Sequence, residues 1–470
     1  MRTKKGTAFV LLMMAVVVAC DDGLVSDDPQ PWENLPVGAG DFLGYSSVES
    51  KSTTCGNCHK GKQAVWQETA HADAWSTLWE SSAKQTMCEA CHSVSSRGNL
   101  VADAGVGWVG TGNERYHDVQ CESCHGPGLT HVLNPDADGT KPLASIAVPE
   151  DMTRGCAECH SGSHRPFAEE WSESKHARVV ESRSANPSCN GCHEAKAILQ
   201  GWGVNSTFLE ESAPTDHLAV TCAVCHDPHN AEHEGQLRFA LNVADEEQNL
   251  CMKCHHKRGV PDLSSTSAQA RGPHSPEGPL LLGEAGWVPP GMQLSGIVGS
   301  HGSDRNERMC ATCHVNNHQF TDPLTGSFTA RATGHSFQAI PCADAAGIPT
   351  GAADCDMAER SFRSCVSCHL SESAARSAMT VAQMRIARLA DEVGALIARV
   401  PASELSSSNP AYTTAEGARF NMQLAQKKGS IIHNPFLVEA LLLASIRQLE
   451  VDYQVTPSAG LVLDAQLTSH

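Results

Sequence analysis

The chain has 470 residues but few aromatic side chains, since phenylalanine, tryptophan and tyrosine together make up 5% and only four residues are tyrosine. Large aromatic side chains normally contribute much of a buried core. A chain of this length is long enough to bury a sizeable core. The composition therefore leaves two alternatives: a small, loose aliphatic core, or large apolar groups that do not come from side chains.

Basic residues are also scarce, because 34 lysines and arginines stand against 53 aspartates and glutamates, giving a net charge of −19. Loss of residues 1–19 would remove Arg2, Lys4 and Lys5 and no acidic residue, which takes the charge to −22. Such a balance disfavours binding to nucleic acid and to anionic lipid, and it would steer a positively charged partner.

Long apolar runs are missing apart from one near the start, which extends from Ala8 to Ala19. It is too short for a membrane-spanning helix and follows a basic start, so residues 1–19 are predicted to be a signal peptide. The ending Val17-Val18-Ala19-Cys20 resembles a bacterial lipobox, which predicts a lipid anchor on Cys20 and an extracytoplasmic, membrane-tethered protein. The alternative is an ordinary signal peptide with an incidental cysteine. Residues 20–50 are predicted to be an acidic tether.

Cysteine, by contrast, is abundant: there are 21, and the pattern C-x-x-C-H occurs nine times. We number these motifs 1 to 9 in chain order. Their cysteines are Cys55 and Cys58, Cys88 and Cys91, Cys121 and Cys124, Cys156 and Cys159, Cys189 and Cys192, Cys222 and Cys225, Cys251 and Cys254, Cys310 and Cys313, and Cys365 and Cys368. The histidines that follow are His59, His92, His125, His160, His193, His226, His255, His314 and His369.

C-x-x-C-H is the attachment signature of a c-type haem, in which two thiols bond to the porphyrin and the histidine binds the iron. A disulfide scaffold would not require a histidine after every second cysteine, and a zinc ribbon would use C-x-x-C pairs without it. The sequence therefore predicts nine covalently attached haem c groups. Nine porphyrins would supply the large apolar groups that the side chains lack, and export fits because bacteria attach haem c outside the cytoplasm.

The spacing of the motifs indicates an internal repeat. Motifs 4 to 6 follow motifs 1 to 3 at a constant distance of 101 residues, and W-x-x-x-x-H-A occurs in both sets, at Trp66 and Trp171. We therefore predict that residues 51–250 contain a duplicated three-haem module and that residues 251–370 form a more divergent three-haem region. The alternative is that haem spacing alone imposes similar distances.

Fifteen histidines lie outside the motifs, which is enough to give each iron a second axial ligand. From their position relative to the motifs, nine are predicted to be these distal ligands: His71, His117, His131, His176, His217, His229, His274, His301 and His335. After motif 6, His233 is an alternative to His229. For any single candidate, a surface or supporting histidine is the alternative.

The segments "CESCHGPGLTH" and W-x-x-x-x-H-A resemble those of multihaem cytochromes c related to the tetrahaem cytochrome of nitrification, hydroxylamine oxidoreductase and the octahaem reductases. "VTCAVCHDPHN" followed by "LCMKCHH" resembles the doubled motif of the same group. The resemblance covers about residues 50–370 and implies haems stacked in pairs and held by short helices and loops. The C-x-x-C-K motif of the pentahaem nitrite reductases is absent.

Two further features lie outside the motifs. Cys342 and Cys355 belong to no motif, so in an oxidising compartment they are predicted to form a disulfide, with two free thiols as the alternative. In residues 371–470, an apolar stripe from Met379 to Val400 and a second helical region from about Thr413 predict a C-terminal helical hairpin. The second region is predicted to be interrupted at Gly429 and to restart with Asn434 as N-cap and Pro435 as first helical residue. The hairpin would serve either subunit contacts, possible in a homo-oligomer, or packing within one chain.

The predicted fold class is thus mainly α with extensive loops, wrapped around stacked haems. Function depends on the axial sites rather than on the fold. If two histidines close every iron, the protein transfers electrons between redox partner proteins or a quinol-linked membrane complex, and it is not an enzyme. One open iron would instead permit reduction or oxidation of a small nitrogen or sulfur compound, with His433 near the pocket. A cytochrome that forms polymers is the third alternative.

Overall fold

The computed structural model describes residues 41–204, 207–212, 215–263, 271–406 and 408–458. The predicted signal peptide, Cys20 and residues 20–40 of the predicted tether lie outside these ranges. No helix in the described ranges combines the length and the apolar character that crossing a membrane requires.

The described fold is mostly helical, and its helices are short before residue 370 and long after it. The helices are α1 Lys60–Trp66, α2 Ala74–Glu80, α3 Gly107–Thr111, α4 Cys121–His125, α5 Leu129–Leu133, α6 Cys156–Cys159, α7 Phe167–Glu173, α8 Glu181–Ser184, α9 Asn190–His193, α10 Ala195–Gly201, α11 Cys222–Cys225, α12 Glu277–Leu281, α13 Cys310–His314, α14 Glu372–Ile397, α15 Thr414–Ala425, α16 Ser430–His433 and α17 Pro435–Tyr453. Two antiparallel hairpins are formed by β1 Tyr45–Ser47 with β2 Ser52–Thr53, and by β3 His318–Thr321 with β4 Phe328–Ala332.

The C-terminal region forms a three-helix bundle in which α14, α15 and α17 contact one another. Each helix begins at a residue whose side chain accepts a backbone hydrogen bond, namely Ser371, Thr413 and Asn434. Such caps satisfy N–H groups that have no partner within the helix. The predicted stripe lies in α14, and Pro435 is the first residue of α17, as expected. The predicted hairpin has two helices, whereas the structure has three, because α15 packs against both α14 and α17.

The largest hydrophobic core lies in this bundle and includes Leu396, Leu424, Leu442 and Leu449, all fully buried. The haem-motif region has only small clusters, such as Phe42, Val94, Val106 and Tyr116. Among the described residues, most of this core comes from after residue 370, with Leu280, Ala285 and Leu294 as its earlier members. The chain is also closed locally by a disulfide between Cys342 and Cys355, which confirms the predicted pairing.

Candidate haem centres

Each motif closes a single helical turn. In motifs 1, 4, 6, 7 and 9 the backbone N–H of the histidine donates to the carbonyl of the first cysteine, at N···O distances of 2.9–3.0 Å. Residues three and four apart lie on the same face of a helical turn. The turn therefore presents both thiols and the imidazole to one side, as attachment to a single porphyrin requires.

All nine motifs line one continuous cavity of about 5700 Å³. Divided equally, this is about 630 Å³ for each motif, which falls within the range of roughly 300–1,000 Å³ of a pocket for one drug-sized ligand. The cavity explains why side-chain clusters in this part of the chain are small. Its size and its thiol lining fit a set of porphyrins.

Eight of the nine motif histidines face a second histidine, with ring centres 6.1–6.4 Å apart. The pairs, motif histidine first, are His59 with His131, His125 with His229, His160 with His71, His193 with His274, His226 with His335, His255 with His176, His314 with His433, and His369 with His301.

This spacing is that of two imidazoles on opposite sides of one metal ion. A histidine nitrogen binds a first-row metal at about 2.0–2.1 Å and lies about 1.2 Å from its ring centre, so opposed rings are about 6.4 Å apart. Direct stacking would bring the rings closer, as for Trp75 and His117 at 4.0 Å. The eight pairs therefore fit haems whose two axial sites are both occupied.

Seven of the nine histidines predicted as distal ligands are members of these pairs, and two are not. His117 lies flat against Trp75, with Trp108 4.7 Å away. The Nδ1 atom of His217 lies 3.0 Å from Glu181. Within the described residues, neither ring lies at this spacing from a motif histidine, so the assignment of these two residues as distal ligands stays a prediction.

His433, which was not among the nine predicted distal ligands, lies opposite His314. It ends α16, and the next residue, Asn434, caps α17. Burial lowers the pKa of His433 to about 4, so the side chain is neutral at pH 7, the form that binds metals. Sequence reasoning placed His433 near an open iron instead, because it lies far beyond the last motif.

Motif 2 is the exception. Within the described residues, no histidine ring faces His92 at the spacing of the eight pairs, although its Nδ1 atom is hydrogen bonded to the Ala74 carbonyl at 2.8 Å. The backbone of His117 lies close to His92, because His117 forms a β-bridge with the next residue, Ser93. The ring of His117, however, is held between Trp75 and Trp108. The buried Nε2 atom of His117 has no hydrogen-bond partner.

Hydrogen bonds fix which ring nitrogen is free to bind a metal. The Nδ1 atoms of His125, His226 and His314 lie 2.7–2.9 Å from the carbonyls of Pro142, Gly235 and Phe337. Since a carbonyl only accepts, Nδ1 carries the hydrogen and donates it, which leaves the Nε2 lone pair for the metal. These contacts also orient the rings.

Burial lowers the pKa of several of the paired rings. It lowers the pKa of His160, His176 and His335 to about 4 in each case. His255 differs: burial lowers its pKa, but the hydrogen bond and charge of Glu277 more than offset this, and the net pKa is raised. Glu277 is thus the one carboxylate that contacts a motif-7 ligand directly among the described residues.

Thiols of different motifs lie near each other, and this proximity links all nine motifs. Thiol–thiol interactions join Cys55 to Cys121, Cys91 to Cys159, Cys156 to Cys222, Cys192 to Cys254 and Cys251 to Cys310. Weaker electrostatic proximity joins Cys124 to Cys156, Cys225 to Cys254 and Cys313 to Cys365. The motifs therefore follow the order 1, 3, 4, 6, 7, 8, 9, with motif 2 attached at motif 4 and motif 5 attached at motif 7.

Two family models match parts of the chain. Residues 54–126 match cytochrome c554 and c-prime, and residues 217–259 match the doubled CXXCH motif. These segments contain motifs 1 to 3 and motifs 6 and 7.

Curated relatives are similar over less than half of the chain. The multihaem cytochrome MtrA of Shewanella baltica is 23% identical over 37% of this chain and 54% of its own length. The C-type polyhaem cytochrome OmcB of Geobacter sulfurreducens is 28% identical over 48% of this chain and 31% of its own. The chain therefore spans about half of one relative and a third of the other.

Two solved structures are similar in fold. The undecahaem cytochrome from the S-layer of Carboxydothermus ferrireducens has a TM-score of 0.51 at 18% identity, covering 90% of this chain and 71% of that one. The outer cell wall cytochrome OcwA has a TM-score of 0.47 at 20% identity, covering 77% and 75%. In agreement with the nine motifs and the paired histidine rings, these sequence matches show that the chain is similar to multihaem c-type cytochromes.

Proposed function

We propose that the protein is a nonahaem electron carrier in extracytoplasmic respiration, in which eight haems have two histidine ligands and the haem of motif 2 has a different distal side. The observation that carries this proposal is the set of eight histidine pairs at 6.1–6.4 Å. An iron with two imidazole ligands has no vacant site, so such a haem exchanges electrons and does no substrate chemistry.

The contacts between motifs support a continuous route. Because each thiol bonds directly to a porphyrin edge, thiols that lie near each other bring two porphyrin edges close together. The interactions between Cys55 and Cys121 and between Cys251 and Cys310 belong to the line of motifs 1, 3, 4, 6, 7, 8 and 9. Electrons would follow this line, with motifs 2 and 5 as side branches. Differences in burial and nearby charge would give the haems different potentials.

The same contacts support the proposed duplication. Motif 1 contacts 3, motif 3 lies beside 4, and motif 2 contacts 4. Three motifs later, motif 4 contacts 6, motif 6 lies beside 7, and motif 5 contacts 7. We infer that motifs 7 and 8 belong to a third module, in which no motif corresponds to motifs 2 and 5. Motif 9 then occupies the position of motifs 1, 4 and 7, each of which begins a module.

A second candidate function concerns motif 2 alone. Because no histidine faces His92 among the described residues, this haem is the candidate for binding a small ligand. The aromatic group of Trp75, Trp108 and His117 lies beside it. In this second function, the haem of motif 2 would reduce or oxidise a small nitrogen or sulfur compound.

The test is spectroscopic and uses the full chain matured with haem c. Intact mass should give nine haems. Electron paramagnetic resonance and resonance Raman spectra should show eight low-spin haems and one high-spin haem. Fewer than eight low-spin haems in a homogeneous sample would contradict the carrier proposal, and turnover of nitrite or hydroxylamine would favour the second candidate. We further propose that a lipid on Cys20 tethers the protein to a membrane, where it meets redox partner proteins.

A further inference from the structure

The haem of motif 5 is surrounded by positive charge, unlike the rest of this acidic chain. We propose that this branch haem is where electrons are exchanged with a redox protein that presents an acidic surface. The proposal rests on the electron-carrier function above and adds the place and the kind of partner.

Five exposed cations frame the attachment site: Arg183, Lys257, Arg258, Arg271 and Lys427. We call them the basic rim. They come from four segments, namely α8, the turn after motif 7, the segment before His274 and the end of α15. None of the five forms an ion pair with a carboxylate of the described residues.

Hydrogen bonds from side chains to backbone carbonyls hold these segments around motif 5. Ser184, next to Arg183, donates its hydroxyl hydrogen to the carbonyl of His193 at 3.1 Å. The Nε of Arg258 donates to the Gly272 carbonyl at 3.2 Å, two residues before His274. Gly272 in turn lies against Gln423 of α15, one turn before Lys427. The rim is therefore part of the framework that brings His274 opposite His193.

The cavity lining agrees with this placement. Arg183, Lys257, Arg258 and Lys427 line the same cavity as Cys189, Cys192 and His193 of motif 5 and as His274.

The number of charges exceeds what the haem itself needs. One porphyrin carries two propionates, and Glu181 and Glu194 next to the site add two carboxylates, so five cations still leave a net positive charge at this haem edge. A site for a small anion would need converging, buried donors, whereas the rim is exposed and spread over four segments. Exposed charges of one sign around a contact surface speed association with an oppositely charged protein.

Position in the haem network also fits an exchange point. Among the described residues, motif 5 is a branch that is joined to the main line through the interaction of Cys192 with Cys254 of motif 7. Residues 185–188, just before the motif, are exposed. An electron accepted here would enter the line between its two ends.

The test is stopped-flow reduction of the fully haem-loaded protein by a reduced acidic [2Fe–2S] ferredoxin at low ionic strength. Lys257→Glu combined with Lys427→Glu should slow the second-order rate at least tenfold, and the difference should shrink in high salt because exposed charges are screened. Lys257→Gln with Lys427→Gln should give an intermediate rate. The matched control is Lys60→Glu with Lys62→Glu, at exposed lysines beside motif 1, which should change the rate less than twofold.

Equal slowing by the control pair, or no slowing by the rim pair, would overturn the proposal. So would an equally large effect of the rim pair on oxidation by hexacyanoferrate(III), since that result would indicate attraction of any small anion. Haem content, low-spin spectra and reduction by dithionite are measured on every variant. If these stay normal while the ferredoxin result fails, the basic-rim proposal is wrong and the electron-carrier proposal stands.

Discussion

His433, in the turn before the last helix, faces His314 of motif 8 with ring centres 6.2 Å apart and the rings nearly parallel, at 20°. The C-terminal bundle and the haem region are therefore joined at a ligand pair. The consequence can be tested directly.

Replacement His433→Met should alter one haem and leave the others unchanged. Methionine with histidine raises the potential of a haem relative to two histidines. We expect one of the low-spin signals to shift and one potential to rise in a spectroelectrochemical titration. His164→Met is the control, because His164 is exposed and belongs to no pair. Unchanged spectra in the His433 variant would show that another group holds this iron.

Carbon monoxide should bind the reduced wild-type protein at one haem per chain, since His92 alone lacks an opposing histidine ring among the described motif histidines. Saturation near one equivalent, followed by flash photolysis, checks this. In the variant His117→Ala the stoichiometry should stay at one, because the ring of His117 lies on Trp75. No binding by the wild type together with one equivalent in this variant would mean that His117 ligates the iron of motif 2.

The bundle should depend on its buried leucines. Leu449→Ala, at a side chain that is 0% exposed, should lower the free energy of unfolding by about 2–5 kcal/mol through lost burial and a cavity. Val451→Ala, in the same helix at 71% exposure, should cost less than about 0.5 kcal/mol. Urea unfolding followed by far-ultraviolet circular dichroism compares them, and equal midpoints would contradict the assigned core.

The disulfide between Cys342 and Cys355 should stabilise the segment before motif 9. Closing a loop of this size contributes about 3 kcal/mol in the chain-entropy model. Replacing both cysteines by serine should lower the unfolding midpoint without changing the number of haems, because neither residue belongs to a motif. Loss of a haem in the double variant would show that the loop also positions a haem centre.

Membrane attachment should depend on Cys20, which follows Val17-Val18-Ala19. Cys20→Ser should move the cytochrome from the membrane fraction to the soluble fraction, and lipid-modified peptide should vanish from mass spectra. Ser26→Ala, elsewhere in the predicted tether, is the control. Retention of the serine variant on the membrane would place the anchor elsewhere.

Much of the site can be predicted from local sequence, because the attachment motif of a haem c consists of five consecutive residues. His71 and His176 could also be predicted as distal ligands from their repeated context, and each lies opposite a motif histidine. His117 and His217 share a repeated position too, but aromatic packing and a carboxylate engage them instead. His433 could not be matched to motif 8, because only the folding of three helices brings it there. Likewise, the apolar stripe of α14 predicted a helix but not the number of its neighbours.

The origin of the last axial ligand bears on how the protein is made. His131, which faces His59 of motif 1, lies in the first third of the chain, whereas His433, which faces His314 of motif 8, lies near its C-terminus. A chain whose synthesis stops short would still carry porphyrin at motif 8, but with one face bare and ready to react with oxygen. The spectrum of this one centre would therefore report whether the C-terminal bundle is in place.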